Sequence, residues 1–316
     1  MKIVTCTTLA FVLLAAALLL ACGEEEPSQP PPVPVPPVPD VAYLVYAGGS
    51  DPAWGSNDRI LFHTSNPRAF GTILRSCDRN GVDLKNLYTT TGVLLDSPDW
   101  SPDCATVAYD SDSGGLTPQV FTLALGSTEP TQVTTEGGAC PAWSPDGTRI
   151  AYTTPRGDVW VVTLANGAKT RLTEGAETRN PVWTPDGSAV TYAAGHKVYN
   201  VDLTGKRTLL FDARDLFVSD PAWSPDGARL AVITTTFAGS PGVGAIAVWE
   251  EAARELVAFT HTMWDCSNPT WSPAGNAIAF HGYISPNGTQ GIYYMDWPPS
   301  PGCAYRLATD DSRGAQ

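Results

Sequence analysis

The chain has 316 residues and a formal net charge of −13, with 32 acidic side chains against 19 basic ones. That balance repels a phosphate backbone and no basic stripe interrupts it, so nucleic-acid binding is excluded. With 29 glycines, 28 prolines and no long 3.6-period segment beyond the N-terminus, a helical architecture is excluded as well.

Lys2 followed by an apolar run through Leu20 has the form of an export signal, and a retained spanning helix is the alternative. Leu19-Leu20-Ala21-Cys22 resembles a bacterial lipobox, which implies cleavage after residue 21 and acylation of Cys22. Several acyl chains anchor a protein stably, whereas one chain alone is marginal. Residues 22–39 read as a linker: Glu24-Glu25-Glu26, then eight prolines between Pro27 and Pro39. Such a segment favours polyproline II at about 3.1 Å per residue, giving a stalk on the order of 40 Å. Val41–Ala47 (VAYLVYA) is predicted as a strand that pairs with the first or last unit of the repeat array C-terminal to it.

From residue 40 to 316 one pattern recurs six times. Its clearest copy is Pro141–Thr154, PAWSPDGTRIAYTT, and the tryptophans that mark the copies are Trp54, Trp100, Trp143, Trp183, Trp223 and Trp271. Their spacings of 46, 43, 40, 40 and 48 residues are those of a propeller or a similar array. In Ser144-Pro145-Asp146-Gly147, proline fixes φ, aspartate bonds its own backbone and glycine accepts positive φ. Alternating Ile150-Ala151-Tyr152-Thr153 then completes a hairpin. A second hairpin comes next, with strands over Asp158–Leu164 and Thr170–Thr173 and a turn at Asn166-Gly167. Four short antiparallel strands make one blade, and blades bury their faces only by stacking in a ring.

The P-x-W-S-P-D-G-x-x-I-A-Y pattern resembles the WD-like β-propeller repeat of the TolB family. The resemblance implies a six-bladed β-propeller of four-stranded antiparallel blades. It extends to the propeller alone, because no separate α/β domain fits between the leader and Trp54. Departures are local: Gly55-Ser56-Asn57-Asp58 in blade one, Cys104 for glycine in blade two and Ala274 for aspartate in blade six.

Propeller topology sorts the candidate residues onto two faces. The loops between strands one and two and between strands three and four share the bottom face; the remaining loops share the top. Cys77 and Cys104 then fall on the bottom face of adjacent blades, and a bridge between them is predicted. The residue before each first strand is read as Asp51, Pro98, Cys140, Asn180, Asp220 and Asn268. Asp51, Asn180, Asp220 and Asn268 form a polar set at the top mouth of the axial channel, suited to a cation, a sugar or a partner's peptide; capping of local turns is the structural alternative. His63, His261 and His281 belong to blades on either side of the ring closure and are candidate metal ligands, with Asp51 and Asp265 near them in sequence. Trp264 and Trp297 are candidate interface anchors. Asp110-Ser-Asp112 resembles a fragment of a calcium loop but lacks its remaining ligands. No nucleophile elbow, phosphate-binding loop, zinc-helix motif or dinucleotide fingerprint occurs in the sequence.

These features predict a lipid-anchored, extracytoplasmic module of a bacterial cell envelope that binds a protein or glycan partner without catalysis or cofactor. A metal-dependent lyase or hydrolase acting on carbohydrate, using His63, His261 and His281 on a divalent metal, is the alternative.

Overall fold

Each copy of the repeat begins an antiparallel sheet, and six such sheets are present in the computed structural model, five of four strands and one of five. The structure describes residues 43–307, apart from 113–114, 116, 176–177, 179, 237–243, 261–264, 285–288 and 299–304. No helix occurs among the described residues. The chain is thus a six-bladed β-propeller.

Blade one comprises Ser50–Trp54, Arg59–Ser65, Thr72–Asp78 and Lys85–Thr89 in spatial order, and blades two, three and four repeat this meander. In blade three the fourth strand runs over Ala168–Arg171, two residues ahead of the placement expected from sequence. Blade six takes only three strands from its own repeat: Asp265–Trp271, Ala277–Ile284 and Thr289–Asp296. Its fourth is the N-terminal strand Tyr43–Ala47, antiparallel to Thr289–Asp296 with Tyr43 opposite Tyr294 and Ala47 opposite Gly291. The predicted pairing of this segment with an end blade is therefore observed, on the last blade, and it joins the two ends of the ring. Tyr305–Leu307 adds a fifth strand to the outer edge of blade five.

The I-A-Y triplet has a direct structural meaning. Successive residues of a strand face opposite sides of the sheet, and here the two sides meet different neighbours. In blade three, Ile150 and Tyr152 pack with Ala108 and Val120 of blade two, whereas Ala151 packs with Trp183 and Val190 of blade four. Blade six repeats this, with Ile278 and Phe280 against blade five and Ala277 and Ala279 against blade one. Bulk on one side and alanine on the other lets six sheets nest with native packing. The marker tryptophans all face the preceding blade. Trp183 and Trp271 donate their indole N–H to the carbonyls of Ala142 and Ala222 across the interface, at 3.1 and 3.0 Å.

On the bottom face the S-P-D-G turns have one geometry. Ser144 Oγ donates to Asp146 at 2.5 Å, and Asp146 accepts the Thr148 amide at 3.0 Å. These bonds hold the Asp146 carboxyl far below its ordinary range. The substituted turns keep the backbone path: Cys104 and Asp58 sit at φ 53° and 58°, beside 68° at Gly147.

The predicted Cys77–Cys104 bridge is corrected, because both thiols are free and buried. Cys77 shares the side of its blade with Ile60 and Phe62 and enters the core between blades six and one. Cys104 enters the core between blades one and two with Leu61 and Leu74. A sheet separates them, which the face assignment alone did not reveal. Burial pushes the Cys77 thiol up to about 12.

Candidate functional site

The top mouth is built by one backbone device repeated around the ring. In blade three Ala139 pairs with Thr153 and Ala142 with Ala151, so two residues of the first strand oppose one residue of the second. This is a β-bulge, and its first residue adopts the left-handed conformation usually reserved for glycine. Five blades show this register shift, and the corresponding residues of all six blades, Asp51, Ser97, Cys140, Asn180, Asp220 and Asn268, have φ between 49° and 51°. Each is followed by a proline. Four of the six are Asp or Asn, the residues that tolerate this conformation best. In blade two the bulge residue is Ser97 rather than Pro98, a correction of one position.

The bulges encircle a cavity of about 170 Å³ lined by Asp51, Ser97, Cys140, Asn180, Asp220 and Asn268, with their prolines and the next residues below. Hydrogen bonds run around the circumference from blade to blade. Asp51 Oδ2 accepts the Ser97 amide at 3.4 Å, and Asp220 accepts both the Asn180 side-chain amide and the Asn268 backbone amide. Deeper in the channel, Asp99 Oδ2 accepts the Trp143 amide at 2.8 Å, and Thr270 Oγ1 accepts that of Trp54 at 3.1 Å. Asp51, Asn180, Asp220 and Asn268 thus lie together around this cavity. The bonds named run between blades rather than to the amides of local turns, so they join the ring instead of capping each residue's own turn.

On the side of blades one and two the mouth is strongly acidic. His63, at the top of the second strand of blade one, has Nε2 3.2 Å from Asp51 Oδ2 and 3.3 Å from Asp96 Oδ1. Burial opposes the charged imidazole, but Asp51, Asp96 and Asp110 together raise its pKa above the usual value. Burial likewise opposes ionisation of Asp51, yet the His63 contact and the Ser97 amide hold it below its usual value. Asp96 is raised, first by burial and then by the charges of Asp51 and Asp112. Asp110 accepts the Cys140 amide at 2.8 Å, and burial pushes it up to about 7. Asp99, walled by protein around the channel, is also pushed by burial up to about 7.

Of the histidines expected as metal ligands, His63 and His281 lie on this face and His261 falls outside the described residues. His281 is turned to Ser267 Oγ at 3.1 Å and Gln290 at 3.2 Å. Burial lowers its pKa. The structure groups His63 instead with Asp51 and Asp96, their ligand atoms all within 4.8 Å of one another. Asp96 escaped the sequence reading; the signal was its position directly before a bulge, opposite Asp110. Asp265 pairs with Tyr283 at the start of its strand. Trp264 lies outside the described residues. Trp297 is buried against Phe259 and Trp271 and belongs to the core between blades five and six.

Six blades around a polar axial mouth define a six-bladed β-propeller. Residues 77–207 match the family model described as the TolB beta propeller domain. No curated protein matches the sequence. Among solved structures, TolB from Acinetobacter baumannii is similar with a TM-score of 0.62 at 20% identity, over 78% of this chain and 65% of that one. The chain therefore spans less than two thirds of that relative's length. A putative TolB from Agrobacterium tumefaciens gives 0.62 at 15% identity, over 81% of this chain and 97% of that one. An oligogalacturonate lyase in complex with manganese gives 0.56 at 17% identity, over 86% and 78%. At these identities the likeness is one of fold.

Proposed function

We propose that this chain is a non-enzymatic binding module of a bacterial cell envelope, tethered through acylated Cys22 and a proline-rich stalk over residues 22–39, whose propeller engages a protein or glycan at its top mouth. The observation that carries this reading is the mouth itself. Six residues in the left-handed conformation converge there, and strain repeated at one place is what a recognition surface preserves. Asp51, Asn180, Asp220 and Asn268 offer carboxylates and amides, a set suited to hydroxyl, amine or amide donors. The cavity, about 170 Å³, is small enough to take one side chain or one sugar ring and not a long segment.

The test uses the full chain in native membranes, solubilised in mild detergent after crosslinking. The wild type is expected to capture a partner that an Asp51→Asn/Asp220→Asn variant loses, and Cys22→Ser is expected to leave the membrane fraction. Equal capture by the mouth variant would move the binding surface elsewhere.

A second reading, a metal-dependent lyase or hydrolase using His63, His261 and His281, is favoured by one observation. His63 lies in a partly buried acidic setting on the face that also carries His281. The fold likeness to a manganese-bound oligogalacturonate lyase suggests the substrate class. Release of unsaturated uronate from oligogalacturonides with manganese present, and its loss in His281→Ala, would support it over the binding reading.

A further inference from the structure

We propose that Asp51, His63 and Asp96 form a binding site for one divalent transition-metal ion, bridging blades one and two at the rim of the axial mouth. This donor set differs from the three histidines of the lyase reading, and the site does not require that the protein catalyse a reaction.

The first ground is the geometry of the imidazole. His63 Nε2 lies 3.2 Å from one carboxylate oxygen and 3.3 Å from another. The contact with Asp51 is a hydrogen bond, whereas the approach to Asp96 meets only the distance of an ion pair, so one N–H serves the second carboxylate at best as the weaker arm of a three-centre bond. A metal ion on that nitrogen accounts for both. With metal–ligand bonds of about 2.0–2.2 Å, adjacent ligand atoms stand roughly 3.3–3.6 Å apart around a tetrahedral ion and roughly 2.8–3.1 Å around an octahedral one. The two contacts fall in the span of these edges.

The second ground is charge. Asp51 and Asp96 come from adjacent blades, and Asp110 lies close enough to act on both. One imidazole cannot neutralise the group even when protonated. A divalent cation among the three donors would match the carboxylate charge and relieve the repulsion between Asp51 and Asp96. Asp51 is held by the Ser97 amide and by the left-handed bulge, so its carboxylate is already positioned. Asp96 is more exposed and has freedom to close onto the ion.

The donors define the class of ion. One imidazole with two carboxylates suits zinc or manganese, whereas calcium and magnesium prefer oxygen ligands throughout. Three protein ligands leave at least one position open, and here it would face the mouth. An ion there could accept an oxygen from whatever enters the cavity.

Full-length protein purified without a histidine tag and stripped by chelator is titrated with zinc chloride and manganese chloride by calorimetry. One equivalent is expected to bind, with a rise of several degrees in Tm on saturation. His63→Gln and Asp96→Asn are each expected to weaken binding on the order of 100-fold. Asp96, the exposed member, guards against loss of fold; circular dichroism and the metal-free Tm verify both variants. Calcium is expected to bind far more weakly than zinc. No binding of zinc or manganese at millimolar concentration, one equivalent retained in both variants, or calcium bound as tightly as zinc and insensitive to His63→Gln would each overturn the proposal.

Discussion

At the scale of single residues, the acidic wall of the channel makes a pH dependence that can be worked out in sign. Asp99 and Asp110 are both held up to about 7 by burial, against an ordinary value of 3.8 for an aspartate in the unfolded chain. The folded protein therefore binds these protons more tightly than the unfolded one. Their stabilising effect is complete below pH about 4 and is lost as pH rises through about 7. His63, raised above 6.5, acts in the same direction. The depressed carboxylates of the S-P-D-G turns, such as Asp226, act only at lower pH. Tm is expected to fall by on the order of 5 °C between pH 5 and pH 8, and Asp99→Asn, which keeps an acceptor for the Trp143 amide, is expected to flatten that profile. A wild-type Tm that rises over the same interval would contradict it. Asp99 also marks the limit of what the sequence disclosed at this scale. The P-x-W motif located every residue of the mouth to within one position, and the Asp/Asn preference before proline was visible. The bulge was not, because an inserted residue leaves no mark in a two-residue alternation until the pairing partner is known. For that reason the repeat alone points to Pro98 where Ser97 stands and hides Asp96 beside His63. The cysteines were misread for another reason: a face assignment does not say which side of the sheet a side chain enters, and Cys77 and Cys104 lie in different inter-blade cores.

At the scale of elements, the joint between the chain's two ends decides whether the ring stays closed. Three features converge there. The strand Tyr43–Ala47 completes blade six, Val45 enters the core between blades six and one, and Arg79 of blade one reaches Asp296 of blade six at 3.1 Å while lying 4.6 Å from the Tyr294 ring centre. Gly81 is the tightest point: it has φ 75°, and a Cβ there would stand 2.1 Å from the Val45 carbonyl oxygen. Gly81→Ala is expected to combine left-handed strain of roughly 1–2 kcal/mol with a displacement of the closing strand. Gly92→Ala has a similar φ of 80° but open space around its Cβ, so it should show the strain alone. Thermal unfolding of the two variants separates the contributions, and removal of residues up to 47 should lower Tm at least as far as Gly81→Ala. Equal Tm for both glycine variants would mean that the closing strand yields freely. The strand itself was legible as an alternating apolar segment outside the six repeats. Its partner was narrowed to an end blade because the segment lies outside the six repeats; that the last repeat supplies only three strands of its own, which fixes the choice, emerged from the pairing. The fifth strand on blade five, Tyr305–Leu307, was not legible, because three residues carry too little pattern to specify an edge.

At the scale of the whole molecule, the distribution of the core sets how the protein comes apart. Among the described residues, buried apolar side chains fall into six clusters, and each cluster draws on two neighbouring blades. None of these clusters belongs to one blade alone, so every blade depends on both neighbours. An open repeat array can lose its terminal units first, because a terminal unit has one interface to lose. In this ring every unit has two, and the strand that closes blade six removes the end from which fraying would start. Unfolding in urea is therefore expected to be a single transition. Indole fluorescence reports on the blade interfaces, where the marker tryptophans sit, and far-ultraviolet circular dichroism reports on the sheets. If loss of any one interface opens the ring, the two signals share one midpoint and one slope. Removing the closing strand should restore two free ends, and the transition should then broaden, with fluorescence changing at lower urea than circular dichroism. Separate midpoints in the intact chain would show that blades hold together independently of the ring, and the shared clusters would then contribute less to stability than their burial implies.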